Sequence, residues 1–202
     1  MRTNALTRTS EPTPPARKID VELLALDLDV CTRCVGTLTN IEKAIETVQE
    51  VLDTTGFEVI VHKTLIKSEE QAHQHRFVAS PTIRINGRDI TPETLESHCD
   101  SCTDLCGCGE GTSCRMWRYR GQEYTEAPVG LVVEAMLREI HSDDTQAVSE
   151  PAAYESVPAN LQRFFASRAS SCCAPAEQEV CCEPPAKTPC CGTVETKTCG
   201  CQ

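Results

Sequence analysis

Apolar positions recur along the chain in two rhythms, and the change from one to the other outlines the fold. Over Val21–Leu28, Leu24, Leu26 and Leu28 alternate while Ala25 is apolar as well, which predicts a strand covered on both sides. From Thr37 to Thr54 the spacing becomes three and four. Leu38, Ile41, Ile45, Val48 and Leu52 line one face and Glu42, Lys43, Glu46 and Glu50 the other, with Thr37 as N-cap and Gly56 as stop. Alternation returns over Phe57–Ile66 through Phe57, Val59 and Val61. Ser68-Glu69-Glu70-Gln71 then starts a helix that reaches about His75. Ser80–Ile85 is a short strand running into the turn signal Asn86-Gly87, and Thr91-Pro92-Glu93 marks the start of a short helix. Cys114–Tyr119 reads as a strand and Pro128–Ile140 as a helix carrying Val129, Val132, Val133, Met136, Leu137 and Ile140.

The predicted order is strand–helix–strand–helix–strand–strand–helix. Strands 1 and 2 need a crossover and should be parallel, and the last two should be antiparallel. A cysteine-rich insert over residues 97–114, almost without apolar side chains, forms an outsized hairpin connection between them. This is a small α/β sandwich over residues 18–141. Residues 1–17, rich in Thr, Pro and Arg, read as a disordered lead-in. Residues 142–170 read as a linker with a weak helix in Pro151–Ala166 through Leu161, Phe164 and Phe165. The segment 171–202 has almost nothing to bury and reads as a disordered tail.

Composition changes this picture at one residue type. Among 202 residues there are 15 cysteines, far above ordinary usage, while aromatic residues make up only 4%. Met1–Ile19 has Arg2, Arg8 and Arg17 but no apolar core of a secretory signal, and no run is long enough to cross a bilayer. The expected compartment is therefore the cytoplasm, where cysteines more often bind metals or exchange disulfides than form permanent crosslinks. The net charge of -11 argues against nucleic acid as a partner. No phosphate-binding glycine loop or paired carboxylates stand out, so kinase, nucleotide-binding and hydrolase chemistry has no support.

Candidate chemistry begins at Cys31-Thr32-Arg33-Cys34. The pair lies between a predicted strand and a predicted helix, where unpaired N–H groups stabilise a thiolate. Cys31 is the candidate nucleophile, Cys34 the resolving thiol, and Arg33 a source of positive potential. The competing reading is half of a structural metal site. The insert adds Cys99, Cys102, Cys106, Cys108 and Cys114, beside His98. Cys99-x-x-Cys102 has the usual knuckle spacing, and zinc or another thiophilic ion could fold a loop whose apolar content cannot. Disulfides or a relay to Cys31 are the alternatives. In the tail, Cys172-Cys173, Cys181-Cys182 and Cys190-Cys191 recur every nine residues, and Cys199 and Cys201 continue the series. Adjacent thiols suit soft-ion capture, of Cu(I), Zn, Cd, Hg or arsenite.

Together, the Cys31–Cys34 pair and the Ser80-Pro81-Thr82 turn resemble the thioredoxin superfamily in its shorter glutaredoxin-like form. That resemblance implies a three-layer sandwich with a mixed four-stranded sheet, and a cis Pro81 facing the dithiol. More closely, LDLDVCTRCVGT, SPTIRINGRDI and CRMWRYRGQEYTEAP, in that order, are similar to a prokaryotic family known only as a domain of unknown function. The likeness spans about residues 20–141 and supplies no substrate. Thioredoxins carry Trp-Cys-Gly-Pro-Cys, whereas here Asp29-Val30 precede Cys31 and Thr32-Arg33 separate the cysteines.

Three functions follow as expectations. The first is thiol–disulfide exchange through Cys31, Cys34 and Pro81, with protein or small-molecule thiols and disulfides as partners and no cofactor, linked to soft-metal or metalloid handling. The second is non-enzymatic thiolate metal binding, and the third is an interaction module stapled by disulfides. None involves nucleic acid or a membrane.

Overall fold

The computed structural model describes residues 17–107, 112–141 and 154–170. The expected lead-in, Cys108 and every tail cysteine from Cys172 to Cys201 lie outside the described residues. The chain forms β1 (Arg17–Ala25), α1 (Thr32–Thr55), β2 (Phe57–Leu65), α2 (Glu69–Gln74), β3 (Thr82–Ile85) and β4 (Arg88–Asp89). It continues with β5 (Leu95–His98), α3 (Asp100–Cys106), β6 (Ser113–Tyr119), β7 (Gln122–Tyr124), α4 (Val129–His141) and α5 (Ala159–Ser170).

A mixed four-stranded sheet has the order β2-β1-β3-β4. β1 runs parallel to β2 from Arg17↔Phe57 to Ala25↔Leu65, and antiparallel to β3 from Val21↔Ile85 to Leu24↔Thr82. The parallel pair is expected when a helix returns the chain to the same sheet. Alternation along β1 sends Ile19, Val21 and Leu23 to one face, where α1 contributes Ile41, Ala44, Val48 and Leu52 and α4 contributes Val132, Ala135 and Met136. The opposite face is polar at Asp20 and Glu22 and becomes apolar only at Leu24, which joins Ala72 of α2 in a second buried cluster.

Three local departures from the periodicity have physical causes. α1 begins at Thr32 rather than Thr37. Thr37 is buried mid-helix, with its hydroxyl accepting from the Ala127 N–H at 3.2 Å. Gly36 looks like a helix breaker, yet it lies within α1 with the end of the Glu126 side chain packed against it, so a larger residue there would have to displace that carboxyl group. The fourth strand of the sheet is Arg88–Asp89, not Cys114–Tyr119. Asn86 (φ 49°) and Gly87 (φ 77°) form a tight hairpin turn that folds β4 straight back on β3. Cys114–Tyr119 belongs instead to a second sheet of order β5-β6-β7, and touches the first through the Arg115 N–H, which donates to the Ser80 carbonyl at 2.7 Å.

The helix expected from Thr91 is a loop leading into β5. Its carbonyls are occupied by the fully buried Arg115 guanidinium, which bonds Thr91 O at 3.1 Å and Glu93 O at 3.1 Å. The same guanidinium pairs bidentately with Asp89 at 2.7 and 3.0 Å. A buried cation held this way ties β4, the loop and β6 into one unit.

Candidate metal centre

The insert is organised around sulfur. β5 and β6 pair antiparallel, with Ser97 opposite Cys114 and His98 opposite Ser113, and α3 fills the connection between them. The Cys99 N–H donates to Thr112 O at 2.8 Å, and the Thr112 N–H donates to the Thr103 hydroxyl at 2.9 Å, closing the neck of the loop. This sets Cys99 at the N-cap of α3, Cys102 one turn into the helix and Cys114 on the returning strand.

Cys31 arrives from the other side. The residues ahead of α1 wrap around the Asp27 carboxylate, which accepts from the N–H groups of Asp29 at 2.9 Å, Val30 at 2.5 Å and Cys31 at 2.9 Å. This turn leaves Cys31 as the N-cap of a helix of 24 residues, a position that favours a thiolate. Four sulfurs then converge: those of Cys31, Cys99, Cys102 and Cys114 all lie within 4.8 Å of one another, and all four residues are buried. Cys102 Sγ lies 3.5 Å from Cys31 Sγ and 3.1 Å from Cys114 Sγ. Zinc–sulfur bonds of about 2.3 Å in a tetrahedron separate the sulfurs by roughly 3.8 Å, so this spacing needs only small adjustments to surround an ion.

Hydrogen bonding polarises the group. The Cys102 thiol, followed by Cys114, Cys34 and Cys99, stabilises the Cys31 thiolate and pushes its pKa far down. Cys99 is lowered to about 7 by hydrogen bonds from Cys102 and then Cys114. Cys114 is pushed up because it donates to Cys102 and Cys31. Negative charge therefore gathers first on Cys31 and next on Cys99, while Cys102 and Cys114 hold protons that a cation would displace.

The remaining candidates separate cleanly. Cys34 is a free, fully buried thiol outside the four, with its sulfur 3.4 Å from the Ser80 hydroxyl. Its hydrogen bond to Cys31, reinforced by burial, pushes its pKa up. Pro81 is buried next to Ser80, and the Ser80–Pro81 bond is cis. Cys106 is disulfide-bonded and stands apart from the four, with its sulfur 3.3 Å from the Thr112 hydroxyl. His98 is also outside them, 59% exposed and paired with Asp100 at 3.0 Å.

Two features escaped the sequence reading. Arg33 does more than add charge. Its guanidinium donates to His98 O at 2.5 Å, Ser97 Oγ at 2.9 Å, Ser97 O at 3.4 Å and Cys114 O at 3.5 Å, clasping the helix that bears Cys31 to the hairpin that bears the other three. α5 roofs the group with Leu161, Phe164 and Phe165. It is held by a short hydrogen bond between Asn160 and Glu96, and the Tyr154 hydroxyl ahead of it donates to Phe77 O at 3.1 Å. The Leu161, Phe164, Phe165 spacing signalled a helix, but not what it covers.

Residues 18–136 match a family described as a domain of unknown function, DUF2703. The chain belongs to that family. The match contains all four converging cysteines together with Cys34, Pro81 and Arg33, and ends before α5. No curated protein and no solved structure matches the chain. Among the described residues of this DUF2703 chain, no helix is long and apolar enough to cross a membrane.

Proposed function

We propose that the protein binds one thiophilic metal ion through Cys31, Cys99, Cys102 and Cys114. The observation that carries this reading is the convergence of four buried sulfurs, drawn from α1, α3 and β6, within 4.8 Å. Four thiolates with no nitrogen or oxygen donor suit zinc or softer ions such as Cd(II), Hg(II) and Cu(I). A closed set of four protein ligands fits storage or a structural role better than open-site catalysis. The free state of these cysteines favours ligands over disulfide staples. A reducing compartment such as the cytoplasm would keep them so.

The test is chelator competition on the full chain with every cysteine from Cys172 to Cys201 changed to serine. One zinc per chain should bind, and Cys31→Ser, Cys99→Ser, Cys102→Ser and Cys114→Ser should each abolish tight binding. Tight binding that survives these four substitutions would refute the site.

Thiol–disulfide exchange through Cys31 and Cys34 is a second reading. It is supported by two free thiols one helical turn apart. The strand order, with a CxxC at the β1–α1 junction, supports a thioredoxin-like ancestry for the sheet. Burial of Cys31 at 0% exposure beneath α3 weighs against direct attack on a bulky disulfide. Trapping of a mixed disulfide on Cys34→Ser by a model disulfide would decide for it, and no trapping would decide against.

A further inference from the structure

One residue belongs to two constellations. Cys31 completes the four-sulfur group, and it is also the first cysteine of a CxxC whose second member, Cys34, is free, buried and left out of that group. Cys34 lies one helical turn along α1 and shares the same apolar cluster, with Ser80 against its sulfur at 3.4 Å. A bound ion would engage all four converging sulfurs and leave Cys34 as the spare thiol beside them.

From this juxtaposition we propose that the centre is a peroxide-triggered metal-release site, in which Cys34 withdraws Cys31 from the ion as a Cys31–Cys34 disulfide. The inference rests on the four-cysteine metal reading above. Cys31 is fully buried and directly follows Val30, which is 60% exposed, and a slender hydroperoxide needs a smaller opening of that turn than a disulfide-bearing protein would. The Cys31 thiolate attacks one peroxide oxygen, the O–O bond breaks, and the hydroxide that leaves is neutralised to water by a proton from the buffer. Cys31 is now a sulfenic acid, oxidised by two electrons. The Cys34 thiol then attacks that sulfur, an S–S bond forms and water departs. In sum, one hydroperoxide is reduced while two cysteines become one disulfide. A sulfenate can still offer a donor atom to the ion, whereas a disulfide sulfur is a poor ligand. Three thiolates remain, and the ion exchanges outward. A thiol reductant reverses the step.

The experiment uses the full chain with the cysteines from Cys172 to Cys201 changed to serine, loaded with zinc, treated with hydrogen peroxide and followed with a chromophoric chelator. The parent should release its zinc, peptide mass mapping should find Cys31 joined to Cys34, and a thiol reductant should restore binding. Cys34→Ser, and Cys34→Ala as a second replacement, should load zinc equally and release it about tenfold or more slowly. Equal release rates in the parent and the Cys34 variants would overturn the proposal, as would a disulfide mapped between Cys102 and Cys114. The mapping is made on the parent and so holds even if both replacements misfold. Failure to load one zinc before peroxide is added would instead refute the metal centre, and the release with it.

Discussion

The molecule has two buried cores of opposite character on either side of β1. One is aliphatic, with Ile19, Val21 and Leu23 of the sheet facing Ile41, Val48 and Leu52 of α1 and Val132 and Met136 of α4. The other contains Cys31, Cys34, Cys99, Cys102, Cys106 and Cys114, closed by Phe77, Leu161 and Phe164. The first needs nothing but burial of hydrocarbon, which stabilises by roughly 25 cal/mol per Å². The second buries a group of thiols, and on the proposed metal reading it would reach full stability only when a cation replaces the protons they share. On that reading one half of the chain is a self-sufficient scaffold and the other depends on its ligand.

The largest effect that separates the two is expected in the scaffold. Leu23→Ala should cost about 2–5 kcal/mol of global stability, read by denaturant unfolding, and should cost the same with and without zinc. A metal-dependent cost would mean that the cores are energetically one. Next comes Cys102→Ser, whose sulfur contacts both Cys31 and Cys114. It should weaken zinc binding by more than the roughly 10–100-fold typical of losing an outer-shell partner, and should leave hydrogen exchange in β1 and β3 unchanged. Arg33→Ala should fall within that roughly 10–100-fold range, because the guanidinium clasps the two ligand-bearing segments without touching the ion. Arg33→Lys should recover only part, since one ammonium cannot span the Ser97, His98 and Cys114 carbonyls.

The smallest expected effect is that of pH. Protons compete with the ion, so affinity must fall as pH falls. Cys99, at about 7, begins to hold its proton as the pH drops through neutrality. Cys114, pushed up by its hydrogen bond to Cys102, still releases a proton to the ion above neutrality, so affinity should continue to rise on the alkaline side. A flat zinc affinity between about pH 6 and 8 would mean that the sulfurs are not the ligands.

The same contrast explains what was legible beforehand. The aliphatic core announces itself by period. The repeat Leu38, Ile41, Ile45, Val48, Leu52 and the alternation around Leu24 placed α1 and β1, and the parallel β1–β2 pair followed from the crossover. The sulfur core has no period. Cys99-x-x-Cys102 pointed to a metal site and Cys114 stood among its candidates, but nothing local indicates that Cys31, at a separation of 71 residues from Cys102, lies beside them. The sequence reading favoured Cys31 as a nucleophile with Cys34, kept half of a metal site as the competing reading, and named no insert cysteine as its fellow ligand. The fourth strand was misplaced for a related reason. Cys114–Tyr119, with Met116, Trp117 and Tyr119, resembles a sheet-completing strand, and the two-residue β4 is too short to carry an alternation. Asn86-Gly87 was the stronger signal.

The central claim is that four cysteines from three elements hold one ion. Cadmium NMR of the cadmium-loaded full chain tests it most directly, comparing single serine replacements of Cys31, Cys99, Cys102 and Cys114 with replacement of Cys181 in the tail. The account predicts one resonance that each of the four replacements abolishes and the tail replacement leaves in place. A set of resonances indifferent to Cys31 and Cys102, or lost only on replacing Cys181, would contradict it.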